Sequence, residues 1–490
     1  MTLDYFLIQL IEYALEKHLI KENQINNAKN NLSMIFKDYV FEYVKTEREL
    51  SFLEMIEPLL NFAYSKELFE PNTSSERDAF EAKIMDAMMP SPKEVKETFA
   101  HYYLKSSDLA TSYLFELSKN VNYIKTLRLK ENISWLYKGL YGDLQMTINL
   151  AKPEKDPKEI ANALNKPVVQ ELNKPLCVLC KENEQNYYNA RMNLRIVPIL
   201  LGGEIWHFQY SPYQYYNEHA IILHDAHRPM KISNQTFEYL LDFVDMFPSY
   251  FIGSNADIPI VGGSILNHDH FQAGKHHFPI EDAKVIKSYQ WHNDVLVFHV
   301  KWPLSTIRLQ SKSRDKLSLL ASLFLKEWRA YNHLKLDIIS HTGDIPHNTI
   351  TPILRKDQET YTMDLVLRNN RTSDKYPDGI FHPHQDVHHI KKENIGLIEA
   401  MGLAILPGRL KTELELIKMH LVNDAPLSSE LIKHQLWINE LKKISPMTDD
   451  ILLAEVGKKF ERVIEDSGVF KLNHEGNEAI HQLIEQTIKN

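Results

Sequence analysis

The chain has few of the features that mark secreted, membrane or nucleic-acid-binding proteins. Only 2 of its 490 residues are cysteine, which excludes a disulfide framework as the basis of the fold. No apolar run reaches the length of a membrane span. Basic residues are outnumbered, 56 against 65 acidic ones, and a net charge of −9 argues against a general nucleic-acid binder. A local basic pocket for a small anion is compatible with this balance.

The composition indicates an ordinary globular protein with two or three structural units. Hydrophobic residues make up 43% and charged residues 25% of the chain, and a chain of this length can bury a large core. The first 17 residues are interrupted by acids and have the apolar spacing of an amphipathic helix, which argues against a signal peptide. We therefore expect a cytoplasmic protein.

The spacing of apolar residues predicts an α+β fold. Helical spacing at both ends of the chain encloses a region in which short strand-like runs are followed by single helices, at 234–247 and 317–328. Residues 123–130 carry cationic side chains at alternate positions, as an edge strand could, and Gly202-Gly203 is a hairpin signal. The predicted regions are helical 1–105, two similar α+β halves at 106–280 and 281–410, and helical 411–490. His-x-His pairs at 268–270 and 382–384 suggest that the second half duplicates the first.

Both cysteines lie in one Cys-x-x-Cys, Cys177 to Cys180, which indicates either a redox dithiol or half of a metal site. A redox dithiol usually opens a helix in a βαβ unit, and no such unit is visible, so the metal is favoured. Zinc would need two further ligands. The candidates are His207, His219, His224, His227, His268 and His270. The pairing we favour is His227, at the end of a strand, with His268.

The segment Val261-Gly-Gly-Ser-Ile-Leu-Asn-His-Asp-His-Phe-Gln-Ala-Gly274 carries the chemistry. Gly262, Gly263 and Ser264 form a small-residue turn whose N–H groups can approach a phosphate. His268, His270 and Gln272 alternate, so a strand would turn all three to one surface. With His268 on a metal, the neutral imidazole of His270 is free to attack a phosphoryl group.

Gln272 favours transfer over hydrolysis. A hydrolase that releases a poor leaving group needs a general acid, and a carboxamide cannot supply the proton. A sugar 1-phosphate departs without one, because its second pKa lies near 6, about that of other phosphate monoesters. We therefore predict a nucleotidyltransferase, with His270 and Gln272 as its catalytic residues.

These residues resemble the galactose-1-phosphate uridylyltransferase family of the histidine-triad superfamily, and in particular its second bacterial type. The resemblance rests on His-x-His-x-Gln after Gly-Gly-Ser, with Cys-x-x-Cys and a distant histidine before it. Five further stretches are similar to that type: Thr147 to Pro157, Gln209 to His219, Gly253 to Asp257, Leu367 to Thr372 and Phe381 to Asn394.

The resemblance implies two histidine-triad-like halves and a ping-pong exchange of UMP between UDP-glucose and galactose 1-phosphate. It implies zinc at Cys177, Cys180, His227 and His268, and a second metal such as iron at His382 and His384, with His347 a candidate ligand. A homodimer is also implied, and neither nucleic acid nor a membrane is an expected partner. Where the better-studied type has a glutamate that contacts the hexose, shortly after a glycine resembling Gly402, this chain has Ala404.

Substrate contacts are predicted from position and charge. They comprise the turn residues Gly262, Gly263 and Ser264, together with Asn255, Arg128, Asn193 and Arg195. Arg368 and Arg371 face phosphate or belong to a turn with the asparagines between them, and His388 and His389 are ligands, substrate contacts or packing residues. The tyrosines between Tyr210 and Tyr216 are more typical of packing than of base stacking.

Two alternatives remain: a histidine-triad phosphorylase or adenylyltransferase acting on another nucleotide sugar or a dinucleoside polyphosphate, and a metal-stabilised protein that binds a nucleotide without turning it over.

Overall fold

A computed structural model gives the fold of most of the chain. It describes residues 2–42, 44, 49–69, 74–150, 175–186, 190–263, 265–423 and 426–489. Among the predicted site residues, Ser264 lies outside these ranges. Within them the fold is α+β, as the apolar spacing predicts.

The helices of the described residues cluster at the two ends of the chain. They are α1 (Leu3–Glu16), α2 (Ile25–Ile35), α3 (Phe52–Ser65), α4 (Ser74–Asp86), α5 (Pro92–Tyr103), α6 (Ser107–Asn120), α7 (Thr126–Leu129), α8 (Asn234–Met246), α9 (Arg314–Ala330), α10 (Leu397–Ala400), α11 (Leu410–Asn423), α12 (Gln435–Leu441), α13 (Asp449–Ser467) and α14 (His474–Lys489). Serine caps begin several of them: Ser51 and Ser91 each accept a hydrogen bond from the N–H three residues on, whose glutamate bonds back to the cap.

The strands occupy the middle of the chain. They are β1 (Ile133–Lys138), β2 (Asp143–Asn149), β3 (Val197–Leu201), β4 (Glu204–Tyr210), β5 (Ala220–His224), β6 (Phe251–Gly253), β7 (His270–Gly274), β8 (Val285–Trp291), β9 (Val295–Val300), β10 (Thr306–Ser311), β11 (His341–Thr342), β12 (Ile345–Pro346), β13 (Asn348–Asp357), β14 (Thr360–Asn369) and β15 (Leu403–Pro407). Gly202 and Gly203, at φ +57° and +79°, form the predicted hairpin turn between β3 and β4.

Ten strands form one antiparallel sheet in the order β3-β4-β5-β7-β6-β13-β14-β10-β9-β8. Its two halves have the same connectivity. Each begins with three strands that are neighbours in the sheet, β3-β4-β5 or β8-β9-β10, and continues with one helix, α8 or α9. Two further strands follow, β6 and β7 or β13 and β14, and the last strand of each half lies between its third and fourth strands. The halves meet where β6 pairs with β13. This topology supports the predicted duplication. The second His-x-His is nevertheless not the counterpart of the first, because His382 and His384 follow β14 whereas His270 begins β7.

The two faces of the large sheet contribute to different cores. Phe271 and Ala273 of β7 belong to the larger core, which also contains residues of the N-terminal helices, α8, α9 and α14. Because side chains alternate along a strand, His270 and Gln272 lie on the opposite face. On that face the second half packs into a smaller core, together with the three-stranded sheet β1-β2-β15 and helices α10 to α13.

Two local predictions were wrong. Residues 126–129 form helix α7 rather than an edge strand, because a helical turn brings Lys125 and Arg128 onto the same side, next to Asp78 and Glu81. Strand β15 lies just after Ile395, from which helical spacing was expected to continue. The division into four regions stays a prediction, since the N-terminal helices share the larger core with the sheet. Among the described residues, no helix is both apolar enough and long enough to span a membrane.

Candidate active site and metal centre

The four predicted metal ligands converge on one point. Sγ of Cys177 lies 3.3 Å from Nδ1 of His268, and Sγ of Cys180 lies 3.2 Å from Nδ1 of His227. The two sulfurs are 3.6 Å apart, and the Cys180 sulfur is also 3.6 Å from Nδ1 of His268. Zinc with tetrahedral S₂N₂ ligands would hold neighbouring ligand atoms about 3.3–3.8 Å apart. The geometry fits a metal ion.

Neighbouring groups orient these ligands. Nε2–H of His268 donates to the carbonyl of His224 at 2.9 Å, which leaves Nδ1 with its lone pair toward the sulfurs. Asn183 donates to the carbonyls of Cys177 and Cys180, both at 2.9 Å, and fixes the cysteine turn. Burial would raise the pKa of the Cys177 thiol, but its contacts with His268 and with a backbone N–H outweigh burial and lower that pKa. The cluster ties the cysteine turn to the end of β5 and the start of β7.

His270, at the start of β7, is held in a single tautomer. Its Nδ1–H donates to the carbonyl of His268 at 2.8 Å, so the lone pair of Nε2 is available. The side chain is buried, and burial lowers the pKa of His270 to about 4. The imidazole is therefore neutral at neutral pH, which is the form that can attack phosphorus.

Gln272 is oriented by His219, which the sequence analysis named only among the possible zinc ligands. Nε2–H of His219 donates to Oε1 of Gln272 at 3.2 Å, so the amide N–H₂ is directed away from His219. His219 is clamped by two rings, with centroids of Tyr216 and Tyr215 at 4.4 and 5.4 Å. Burial lowers the pKa of His219 to about 3 and keeps it neutral. The tyrosine run thus packs, as expected.

The small-residue turn is built by close backbone packing. A Cβ at Gly262 would lie 2.5 Å from the carbonyl oxygen of Ala256, and one at Gly263 would lie 2.8 Å from Nδ2 of Asn255. Asn255 is buried against the turn, and its Oδ1 accepts from the N–H of Leu397 at 2.9 Å. The turn and Asn255 are therefore one packed unit, and their substrate roles remain predictions.

Three predicted substrate contacts have other partners in this structure. Arg128 forms two hydrogen bonds to Asp78, of 2.7 and 2.6 Å, and Asn193 donates to the carbonyl of Val121 at 2.7 Å. Arg195 is buried, with an ion pair to Asp86 at 2.7 Å and three bonds to backbone carbonyls. These contacts join the N-terminal helices to the first half. A substrate role for the three stays a prediction without structural support.

The expected second metal pair does not form one cluster. His384 lies with Asp386 and Asp466, whose ligand atoms all fall within 4.8 Å of one another, but His382 is not part of that group. His382 instead contacts the carbonyl of Pro383 and Oδ1 of Asn394. Asp466 is already paired with Arg462 at 2.8 Å. A second metal therefore stays an expectation.

The remaining candidates near this pair are engaged in packing. His347 bonds Thr342 at 2.8 Å and Asn370 at 2.7 Å through its two ring nitrogens. His388 donates to the carbonyl of Pro383, and His389 packs against Trp437. Ala404 is fully buried in β15.

Known proteins resemble this chain at the level of both structure and sequence. The crystal structure of a yeast Ap4A phosphorylase covers 69% of this chain and 93% of its own at a TM-score of 0.34 and 15% identity. The curated galactose-1-phosphate uridylyltransferases of Clostridium acetobutylicum and Caldanaerobacter subterraneus are 48% and 46% identical over 97% of this chain, which covers 98% and 96% of their lengths. That of Bacillus subtilis is 42% identical over 99% of this chain and 98% of its own.

Sequence models of one family match most of the chain. The N-terminal domain of galactose-1-phosphate uridyl transferase matches residues 18–229, and its C-terminal domain matches residues 243–437. Together with nearly full-length relatives above 40% identity, these matches establish the relationship. The chain belongs to the galactose-1-phosphate uridylyltransferase family.

Proposed function

We propose that this protein exchanges UMP between UDP-glucose and galactose 1-phosphate, with His270 as the nucleophile. The observation that carries the proposal is the neutral imidazole of His270, whose Nδ1–H is bound to the His268 carbonyl and whose Nε2 is left to react. The names of relatives 42–48% identical over nearly the whole chain support the choice of substrates.

The proposed reaction has two displacements at the α-phosphorus. The lone pair of Nε2 of His270 attacks that phosphorus, and the bond to the bridging oxygen breaks. Glucose 1-phosphate leaves with the electron pair and needs no proton. A phosphate oxygen of galactose 1-phosphate then attacks the same phosphorus, the N–P bond breaks, and its electron pair returns to Nε2. UDP-galactose leaves, and the imidazole is again neutral.

Gln272 would stabilise the phosphoryl oxygens without transferring a proton. Since His219 engages Oε1, the N–H₂ of Gln272 can donate to the charge that develops on those oxygens. Asn255 and the turn at Gly262 and Gly263 would supply further donors. Buried donors fixed in advance need little reorganisation during the reaction.

Cys177, Cys180, His227 and His268 would hold zinc in this proposal. Its contribution when bound is structural: it fixes the backbone of His268, whose carbonyl holds the Nδ1–H of His270.

Family membership supports adding a homodimer and a cytoplasmic location to the proposal. Light scattering coupled to size-exclusion chromatography measures the assembly state.

The exchange assay tests the substrates. Purified protein is mixed with UDP-glucose and galactose 1-phosphate, and UDP-galactose is measured by chromatography, with ADP-glucose and a dinucleoside tetraphosphate as parallel substrates. We expect exchange with the uridine nucleotide only. Turnover of adenine nucleotides alone would indicate a phosphorylase or adenylyltransferase. Binding without turnover of any substrate would indicate a nucleotide-binding protein.

A further inference from the structure

Arg368 is a buried guanidinium with unpaired donors. Its side chain is 1% exposed, and its one described hydrogen bond is from Nη2 to the carbonyl of Ile395, at 2.8 Å. Nε and Nη1 are buried and have no hydrogen-bond partner. A buried donor without a partner costs about 1–3 kcal/mol, and more when the group is charged. A bound anion would pair with these donors and remove that cost.

The other buried arginines of this face show how unusual this state is. Arg308 bonds both oxygens of Asp364, at 2.6 and 3.1 Å, and Arg355 bonds Asp364 at 2.8 Å and Glu281 at 3.2 Å. These guanidinium groups are neutralised by carboxylates of the chain, whereas Arg368 has no ion pair among the described residues.

The carboxylate that acts on Arg368 is already engaged by another cation. Burial lowers the pKa of Arg368 to about 10, and the charge that acts against this is that of Glu399. Glu399 is already used: it accepts from Nζ of buried Lys391 at 3.0 Å and from the N–H of Gly396 at 3.2 Å. Lys391 also pairs with Glu393 at 3.6 Å. Of these two cations, only Arg368 is therefore without an ion pair among the described residues, and an anion would supply one.

A second unpaired donor lies next to Arg368. Thr351 is fully buried, and its hydroxyl has no partner. On β13 and β14, Thr349 pairs with Arg368 and Thr351 with Val366, so the Thr351 and Arg368 side chains are diagonal neighbours on the face that also contains Val366 and Ile353. A hydroxyl and a guanidinium on adjacent strands of one face can both donate to the oxygens of a phosphate.

This donor cluster adjoins the candidate active site. β7, β6, β13 and β14 are consecutive in the sheet, and Gly253 of β6 pairs with Gln272 on one side and Ile353 on the other. Ile395, which accepts from Arg368, is two residues before Leu397, whose N–H bonds Asn255. Asn255 in turn packs against Gly263 of the turn. The unpaired donors thus belong to the same buried region as the nucleophile.

We propose that Arg368 and Thr351 form a phosphate subsite that binds the phosphate of the hexose 1-phosphate. This inference rests on the proposed function, in which glucose 1-phosphate leaves and galactose 1-phosphate enters at that position. A dianionic monoester supplies acceptors for Nε, Nη1 and the hydroxyl, and it neutralises the charge of Arg368.

Ligand-induced thermal stabilisation tests the subsite without relying on turnover. The Tm of the full-length protein is measured alone, with glucose 1-phosphate, with inorganic phosphate, and with glucose in sodium chloride of equal ionic strength. The variants are Arg368→Met and Arg368→Lys, with Arg371→Met as matched control, because Arg371 bonds the carbonyl of Asp337 instead. A ligand that binds only the folded state raises Tm.

We expect glucose 1-phosphate and phosphate to raise the Tm of the wild type and of Arg371→Met, and glucose to have no effect. Arg368→Met should fold, since an apolar side chain replaces an unpaired charge, and should lose at least tenfold in affinity for glucose 1-phosphate. If that variant does not fold, Arg368→Lys should lose affinity in the same direction, because lysine cannot reproduce the fork of donors.

Undiminished stabilisation in the folded Arg368 variant would overturn the proposal, as would stabilisation by glucose or the absence of any shift in the wild type. Failure of the proposed function would give a different result. The ligand-induced rise in Tm would still depend on Arg368, while the exchange assay would find no UDP-galactose.

Discussion

At the scale of single residues, the site is controlled by which nitrogen of each histidine carries the proton. His268 and His270 both donate a ring N–H to a backbone carbonyl, but through different nitrogens, Nε2 and Nδ1. Because of this difference, His268 presents Nδ1 to the cysteine sulfurs and His270 keeps Nε2 free. Two imidazoles separated by one residue thus present different nitrogens to their surroundings.

We expect His219 to affect kcat only by orienting the side chain of Gln272. His219→Phe removes the donor that fixes the amide, so kcat for exchange should fall on the order of 10-fold, while KM changes little. His219→Gln, which can still donate to Oε1, should recover part of kcat. Steady-state kinetics of the purified variants measure both constants.

A double-mutant cycle separates this positioning role from a general packing defect. In a Gln272→Ala background, His219→Phe should cause no further loss of kcat, since the group it orients is gone. Additive losses from the two substitutions would show that His219 acts by another route.

Arg368 illustrates what the sequence could and could not supply at this scale. The asparagines beside it left a turn and a phosphate contact equally plausible. The structure places Arg368 in β14 rather than in a turn. Its surroundings include Ile395 and Glu399, far along the chain, and only the fold brings these together.

At the scale of elements, the cysteine turn, the end of β5 and the start of β7 are joined by one cluster. The sequence predicted all four members of this cluster, because Cys-x-x-Cys supplies two sulfurs on one turn and His227 and His268 lie near strand ends. It misassigned α7, because alternation of cations over eight residues is compatible with a strand as well as with a helical turn.

Metal content should depend on this cluster. Cys177→Ser and His227→Ala should reduce bound zinc from about one ion per chain to well below half, and should lower Tm, because a structural metal contributes to folding. His276→Ala, at a half-buried histidine bonded to Gln145, is the matched control. Elemental analysis after gel filtration gives the stoichiometry. Unchanged zinc in both ligand variants would reject the assignment.

The ion pair between Arg195 and Asp86 connects the end of α4 to the residues before β3. Its removal tests whether Arg195 has a structural or a substrate role. Arg195→Met leaves Asp86 as an uncompensated charge and should lower the free energy of unfolding by about 3 kcal/mol. The KM for UDP-glucose should stay the same. Urea titration and kinetics measure the two quantities.

The matched control is the double variant Arg195→Met with Asp86→Leu, which removes both charges and should regain stability. A tenfold rise of KM in Arg195→Met, with stability retained, would restore the predicted substrate contact.

At the scale of the whole molecule, the meander-plus-helix pattern predicted the α+β class correctly, and the sheet topology supports the predicted duplication. It missed β15, which is embedded between helices and pairs with β2 from a distant part of the chain. Long-range pairing of this kind leaves no local signal. The N-terminal helices share the larger core with the sheet, and the four-region division stays a prediction.

Stability should decline as pH falls, because several histidines are buried in the neutral form. Burial lowers the pKa of His299 and His389 to about 4 and that of His219 to about 3. The unfolded chain takes up these protons near pH 6.5 and the folded chain does not, so stability is complete above pH 6.5 and is lost as pH falls toward 4.

Replacement of one histidine should flatten this dependence. His299→Leu should reduce the slope of unfolding free energy between pH 6.5 and 4 by up to about 1.4 kcal/mol per pH unit. His292→Leu, at an exposed histidine, is the control. Urea titrations at a series of pH values give the slopes, and equal slopes for the wild type and His299→Leu would contradict the account.

The most direct test of the account is covalent labelling of the protein by UDP-glucose radiolabelled at its α-phosphorus. Wild-type protein should retain about one label per chain after rapid gel filtration in the absence of acceptor, since a covalent intermediate accumulates in a ping-pong cycle. Addition of galactose 1-phosphate should then release the label as UDP-galactose. His270→Ala should retain none while its zinc content and Tm stay at wild-type values. Label that persists in His270→Ala, or a wild-type enzyme that turns over without ever becoming labelled, would contradict the central claim.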